Sequence, residues 1–546
     1  MKKIICIVLA LVTAIPVLLF GGCKKAVDNS EKTIEIFVYK AGYGVEWLNA
    51  MEKVFEERTD YKIEIREQNS SDVLESMVKA GPSTTVDLFI VGEVWDRYIE
   101  LGSKAVKGYE YCLEPLDEVY NYTPAGESQT IGEKMWDDYN DFYKMTVTEN
   151  GERTEHYYAM PWASGLTGLM YNTSLFEQAG LTSEPRTTNE LAEYCETLQS
   201  KGILPFMYSA QAGYWEYLFF QWWAQYETVK GYDNFYNCKI ADNAIPDPVT
   251  SMGIFEQQGI YQSMKTMEEL LDPSKNYTYT LAEDAEYGEA QAYFLRGNKE
   301  DGAMMPAADW IENEMKTMEG GGLEIGDIMP MRTPILSAIS DKLSYWEEDV
   351  SYSEAQLSEQ KRTEYDTNLR ALVDYADGVA ELPTYGSEDD VKKDAAIVKE
   401  ARNLRYSIGM THSCAIPVYA TAKEGAKEFL KFMASDEGLK LYLENTNGAN
   451  LPYDFDIQSW EGYAGLSDFA KKKYEMYEDA QWLPIAAKYQ SAYLGGLEPV
   501  YKTSTFEVAL GSRDSQTRKS ADLLKQSTID HYRPIMKNVL EYAGLI

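Results

Sequence analysis

Histidine is scarce in this chain. Three histidines, His156, His412 and His531, occur in 546 residues and lie far apart in sequence. A histidine-centred metal site or catalytic triad therefore has almost no material. Cysteine is little better represented. Outside the first 23 residues there are four, Cys112, Cys195, Cys238 and Cys414, scattered and with no Cys-x-x-Cys pair. No Cys/His spacing of the zinc type occurs, so neither a metal site, a cofactor nor a disulfide framework is expected, and buried free thiols are. Positive charge is the third shortage. Lys and Arg number 51 against 88 Asp and Glu, a formal charge of −37. Such a surface repels phosphate backbones, which removes nucleic acid from the expected partners. It suits a soluble monomer around a neutral or cationic ligand. There is no internal repeat and no low-complexity tract.

Aromatic residues, by contrast, are plentiful: 13% of the chain, with 42 Tyr and 11 Trp. Extra Tyr and Trp enlarge a core, and they also suit amphipathic ligands such as sugars. Composition leaves both readings open.

The amino terminus reads as an export signal. Lys2 and Lys3 precede an apolar run from Ile4 to Phe20, broken only by Thr13 and Pro16, and the run ends in Gly21-Gly22-Cys23. A membrane span usually needs about 20 apolar residues, and this run is shorter. The Gly-Gly-Cys junction resembles the lipobox of bacterial lipoproteins, departing from it in Phe20, where Leu is usual. The resemblance implies a signal peptide over 1–22, lipidation of Cys23, and a polar tether over 23–31 that leaves the protein on the extracellular face of the cell membrane. The chain beyond the tether is too long for one core, so two or more lobes are expected.

The folded part begins with an alternating strand at Thr33–Tyr39. Trp47, Leu48, Met51, Val54 and Phe55 then recur at helical spacing, and Tyr61–Ile65 alternates again. This strand–helix–strand order predicts a largely parallel sheet. Thr187 begins a helix running to Gly202, with Thr187 and Glu190 forming a capping box. Residues 341–402 are rich in Glu, Asp and Lys with helical spacing at Leu369, Leu372, Val373 and Ala376, which predicts a charged, mostly helical insertion.

Four segments then carry a resemblance. They are Asp87–Gly92 leading to Trp95-Asp96-Arg97; Tyr158–Gly165 running through Met170-Tyr171-Asn172 to Leu181; Gly302–Pro306 ending in Asp309-Trp310; and Ala426–Met433 with Ser435, Glu437 and Gly438. In this order and spacing the chain resembles the family 1 extracellular solute-binding proteins, sugar-capturing lipoproteins of ABC importers related to maltose-binding protein. The resemblance implies an α/β, periplasmic-binding-protein-like fold of two lobes that close over a ligand in the cleft between them. It puts lobe one at about 32–163 plus 405–455 and lobe two at about 164–335 plus 456–546. It also implies a carbohydrate ligand, an ABC permease as partner, and no catalysis.

A sugar ring has a C–H face and an equator of hydroxyls, so its cleft needs flat aromatic walls and polar rim groups. By the resemblance, Trp310 is the stacking wall, with Asp309 beside it as a hydroxyl acceptor. Trp162, Ser164 and Gly165 lie on the crossover segment, although Gly165 stands where maltose-binding protein has an acidic cleft residue. Trp95 and Asp96 come after a strand end, where α/β sheets bind ligands. Tyr43 comes after the first strand, and Tyr214 and Trp215 open an aromatic cluster reaching Trp223. A surface-anchored glycoside hydrolase, or a binder of a peptide or polyamine, are the competing readings; a hydrolase would need two placed carboxylates, and no motif supplies them.

Overall fold

A computed structural model describes residues 31–68, 74–92, 111–149, 152–317, 327–489, 492, 496–497 and 504–546. The expected signal segment, Cys23, Trp95 and Asp96 lie outside the described residues.

Two sheets organise the protein. The strands are β1 (Thr33–Tyr39), β2 (Lys62–Gln68), β3 (Leu88–Gly92), β4 (Lys144–Glu149), β5 (Glu152–Tyr157), β6 (Met160–Pro161), β7 (Thr167–Asn172), β8 (Met304–Ala308), β9 (Ile328–Met331), β10 (Leu404–Tyr406), β11 (His412–Ala415) and β12 (Gln481–Leu483). Sheet one runs β2-β1-β3-β11-β6; sheet two runs β12-β10-β7-β8, with β9 also on β7; β4 and β5 form a separate hairpin. Each sheet is the centre of one lobe.

The parallel expectation holds for the first three strands, where β1 pairs in parallel with both β2 and β3. The helix Glu46–Arg58 makes that crossover and buries Trp47, Leu48, Met51 and Phe55. Beyond them β10 and β12 also pair in parallel, and the remaining pairings of the two sheets are antiparallel. β11 runs against β3 and β6, and β7 runs against β8, β9 and β10. β7 and β11, whose neighbours all run antiparallel, border the segments that change lobes.

The first crossing is 162–166, between β6 in sheet one and β7 in sheet two. The return is 407–411, between β10 and β11, so Leu404–Tyr406 is still part of sheet two. The two crossings touch: a Cβ on Gly409 would stand 2.7 Å from the Gly165 nitrogen. A side chain there would force them apart.

Helix starts obey their caps. Thr187 Oγ1 accepts from the Glu190 amide at 3.1 Å and the helix runs Thr188–Ser200. The reciprocal bond is displaced, because the Glu190 carboxylate accepts from the Arg186 amide at 2.6 Å as well as from its guanidinium. A charge-assisted pair outcompetes the neutral amide of Thr187.

The charged stretch is helical as expected, forming Glu359–Ala376 and Glu388–Asn403. Leu369, Leu372 and Val373 face Val391, Ala395 and Val398 and close over Ile335 and Ile339, a small core separate from the main one. Arg186–Asp374 (2.7 Å) and the Arg402 Nη1 bond to the Thr333 carbonyl (3.0 Å) tie this hairpin to lobe two, while the Arg402–Asp377 fork joins its two helices.

Candidate functional site

Tyr43 comes after β1 in a short turn, Trp162 after β6, and Trp310 after β8 at the start of the helix Ile311–Thr317. Two lobes and one crossing therefore deliver the three rings to one place. Tyr43 lies edge-on to Trp162 (5.8 Å between centroids) and to Trp310 (6.2 Å). His412, the first residue of β11, meets all three rings between 5.3 and 5.8 Å. These edge-to-face contacts suit the quadrupoles of the rings. Trp47 stacks on Trp162 at 5.1 Å and 14°, closing that face.

Backbone without side chains makes room for Trp310. A Cβ on Gly42 would stand 2.7 Å from Trp310 Cδ1, and one on Gly165 would stand 3.0 Å from its Cζ3. Gly165 is thus required by the tryptophan itself, which explains why no acidic residue fits at that position. The ring is 7% exposed, held between lobe one and the crossing.

Polar groups converge on the same point. The Tyr43 hydroxyl donates to the Ser164 carbonyl at 2.5 Å, and the Tyr139 hydroxyl donates to Ser164 Oγ at 2.6 Å. Trp162 Nε1 donates to the Val91 carbonyl at 3.1 Å. Asp309 is 2% exposed; its Oδ2 accepts from Asn450 Nδ2 and lies 3.4 Å from Lys473 Nζ. Its other oxygen, Oδ1, is buried without a partner. Burial raises the Asp309 carboxyl above the usual range, against the opposing pull of Lys473. His412 is held down to about 4 by burial, so its imidazole is neutral.

A second group lies near the end of β1. Tyr214 stacks on Tyr217 at 4.8 Å and meets Tyr287 edge-on at 4.6 Å. Beside them Glu314 Oε2 accepts from Gln291 Nε2 at 2.7 Å. Burial pushes the Glu314 carboxyl up to about 7, and its charge acts on Tyr39 of β1 and on Tyr214 and Tyr287.

The structure thus brings together Tyr43, Trp162, Ser164, Gly165, Asp309 and Trp310, with Tyr214 in the adjoining tyrosine group. Trp215 is elsewhere. It is fully buried against Phe206 (5.1 Å) and Tyr208 (6.0 Å), inside the core of lobe two, because its side of the helix turns away from the junction. Lys473, Asn450, Tyr139 and Glu314 were not foreseen. Nothing in a Lys-rich run or an Asn-rich loop distinguishes the member that folding will bury.

A profile of the family described as bacterial extracellular solute-binding protein matches residues 40–311. The chain belongs to this family. Its members are binding proteins whose working side is extracellular. No curated protein sequence is significantly similar to this solute-binding protein. Among solved structures it is similar to the solute-binding protein RafE in complex with raffinose, at 16% identity and a TM-score of 0.52, covering 93% of this chain and 99% of that one. A chitin oligosaccharide binding protein matches at 15% identity and a TM-score of 0.55, covering 92% and 99%. The maltose-bound MalE3 of T. maritima matches at 14% and 0.54, covering 92% and 99%. At such identities the likeness concerns the fold. Among the described residues no helix is long and apolar enough to cross a membrane.

Proposed function

We propose that this solute-binding protein captures a carbohydrate, most simply an oligosaccharide, between its lobes and delivers it to an ABC permease. The observation that carries the reading is the junction itself: Trp310 of lobe two against Tyr43 of lobe one, beside an Asp309 oxygen that is buried without a partner. Flat rings meet the C–H face of a sugar, and a carboxylate accepts from its hydroxyls. Each aromatic contact contributes about 0.5–1.5 kcal/mol beyond burial, and each hydrogen bond to a charged group roughly 1.5–3 kcal/mol. Two or three platforms with several such bonds reach about −8 kcal/mol, a micromolar site. The saccharides in the structures of RafE and MalE3 and the chitin oligosaccharide named for the third support the same class of ligand.

Opening the lobes exposes Trp310 and Tyr43, and closure on the ligand buries them again. In this reading Trp310, Trp162 and Tyr43 are the walls, Asp309 and Ser164 the polar contacts, Gly165 the clearance, and Tyr214 part of an outer subsite. Trp95 and Asp96 stand as rim groups on the strength of the sequence alone. Cys23 carries the lipid that holds a monomer beside its permease. Two acyl chains anchor stably where one does not.

Calorimetry on the mature protein with a panel of oligosaccharides tests the ligand class. Micromolar binding of at least one saccharide is expected, with Trp310→Ala weakening it by about 10- to 100-fold, the worth of roughly 1.4–2.7 kcal/mol. Binding of a peptide or polyamine with no saccharide response would overturn the reading. Cys23→Ala is expected to release a protein that still binds but no longer supports uptake.

A further inference from the structure

A groove of about 600 Å³ lies between Trp136, which precedes the helix Asp137–Tyr143 of lobe one, and Trp482 of β12 in sheet two. The two indole rings stack at 5.8 Å and 18°. Tyr477, just beyond the helix Asp468–Glu475, meets Trp136 at 5.5 Å and Trp482 at 4.8 Å. Both lobes therefore contribute to one aromatic wall. The volume falls within the range of small-molecule sites, about 300–1,000 Å³. None of the residues of the Trp310 junction lines it.

The rest of the groove carries charge of one sign. Glu133, Asp137, Asp138, Asp454, Asp456 and Glu478 line it, and no Lys, Arg or His does. Among the described residues none of these six carboxylates forms an ion pair. What they accept is neutral: Glu478 from Gln458 Nε2 (2.6 Å), Asp456 from the Ser459 amide (3.2 Å) and Glu133 from the Thr130 amide (2.8 Å). Lys134, next to Glu133 in sequence, is buried and spends its ammonium on Glu127 (2.8 Å), Asp436 and the Ala434 carbonyl. Burial raises the Asp138 carboxyl, with only Lys488 opposing. A cleft of one sign with low-dielectric walls focuses its field into the cavity. The acids are too dispersed for a metal, since among the described residues no group of three or more could hold one.

We propose that this groove binds a linear aliphatic polyammonium ion, its methylene chain along Trp136, Tyr477 and Trp482 and its ammonium groups at the surrounding carboxylates. Aromatic faces attract both parts of such a ligand, the chain by apolar contact and the ammonium by the ring quadrupole. Dispersed acids ask for dispersed cationic centres, which a metal ion or a monoamine does not supply. Because the walls come from both lobes, the bound ion bridges them. The groove shares no residue with the Trp310 junction, so the site stands or falls separately from the carbohydrate reading.

Calorimetry with spermidine at fixed ionic strength tests it. Saturable binding at one site is expected, and no binding, or a response that never saturates, would overturn the proposal. Asp137 and Glu478 are exposed, so Asp137→Asn with Glu478→Gln leaves the packing intact. This double variant is expected to bind spermidine about tenfold or more weakly. Removing the same charge elsewhere, by Glu381→Gln with Asp389→Asn at exposed positions of the helical hairpin, is expected to leave the affinity unchanged. Equal losses in the two pairs would mean diffuse attraction to an acidic surface and would overturn the site, as would unchanged affinity in the groove pair. Trp136→Ala is expected to weaken binding several-fold, and full affinity in that variant would remove the aromatic wall from the site. Should Trp136→Ala fail to fold, the two charge pairs decide.

Discussion

Tyr43, Trp162 and Trp310 come from three distant segments and meet where the lobes join, whereas Tyr214 to Trp223 are neighbours in sequence and mostly fill one lobe. The second group is the denser. Tyr217, Phe219, Phe220, Trp222 and Trp223 are all buried on the helix Glu216–Tyr236. They pack against that helix's own later turns and the sheet beneath, as in Trp223–Phe235 (4.9 Å) and Phe220–Tyr406 (5.1 Å). The first group is sparser but is ringed by polar atoms of Ser164, Asp309, Asn450 and Lys473. Aromatic density therefore measures core, and convergence of rings from both lobes onto unpaired polar atoms measures a site.

The largest test of that contrast is stability. Trp222 is fully buried and its Nε1 donates to the Pro334 carbonyl at 3.0 Å. Trp222→Ala is expected to cost about 3–5 kcal/mol in denaturant unfolding. Trp310→Ala, which opens a lobe junction and not a core, is expected to lose less stability but far more affinity. Equal stability losses with equal affinity losses would erase the distinction.

A smaller effect probes clearance. Gly165→Ala sets a methyl 3.0 Å from Trp310 and 3.2 Å from Asp309 Oδ1. Ligand affinity is expected to fall several-fold with the unfolding midpoint nearly unchanged, read by calorimetry and thermal melts on one sample.

The remaining effects come with pH and belong to the junction side of the comparison. The Glu314 carboxyl rises from 4.5 to about 7 on folding, so the folded state holds its proton more tightly. Its contribution is complete below about 4.5 and is lost as pH rises through 7. His412 moves the other way, from 6.5 to about 4, so its contribution is complete above 6.5 and is lost as pH falls through 4. The two slopes oppose each other between 4.5 and 6.5. Glu314→Gln is expected to gain stability over the unaltered protein as pH rises from 4.5 to 7, and His412→Gln to gain as pH falls from 6.5 to 4. Parallel curves for all three proteins would remove both groups from the pH response.

Much of this was legible in the sequence, and the limit is physical. Trp47, Leu48, Met51 and Phe55 show their helix because a helical face repeats every few residues. Leu369, Leu372 and Val373 do the same within the charged hairpin. Tyr43, Ser164 and Trp310 were nameable only through resemblance, since no periodicity links positions so far apart. Lys473 and Asn450 were not nameable at all. Lys471, Lys472 and Lys473 read alike until the helix Asp468–Glu475 turns one of them inward to Asp309.

Through resemblance the sequence pointed to the two-lobe α/β plan, and by itself it determined the acidity of the chain, its strand–helix–strand opening and the residue types available to a sugar cleft. Those properties are local or additive, and they survive without knowledge of contacts. Only the tertiary structure decided which rings meet, that β11 and β7 run against their neighbours, that Gly165 yields its side chain to Trp310, and that Trp136 and Trp482 share one groove. These depend on segments hundreds of residues apart arriving at one point, and no spacing along the chain encodes that meeting.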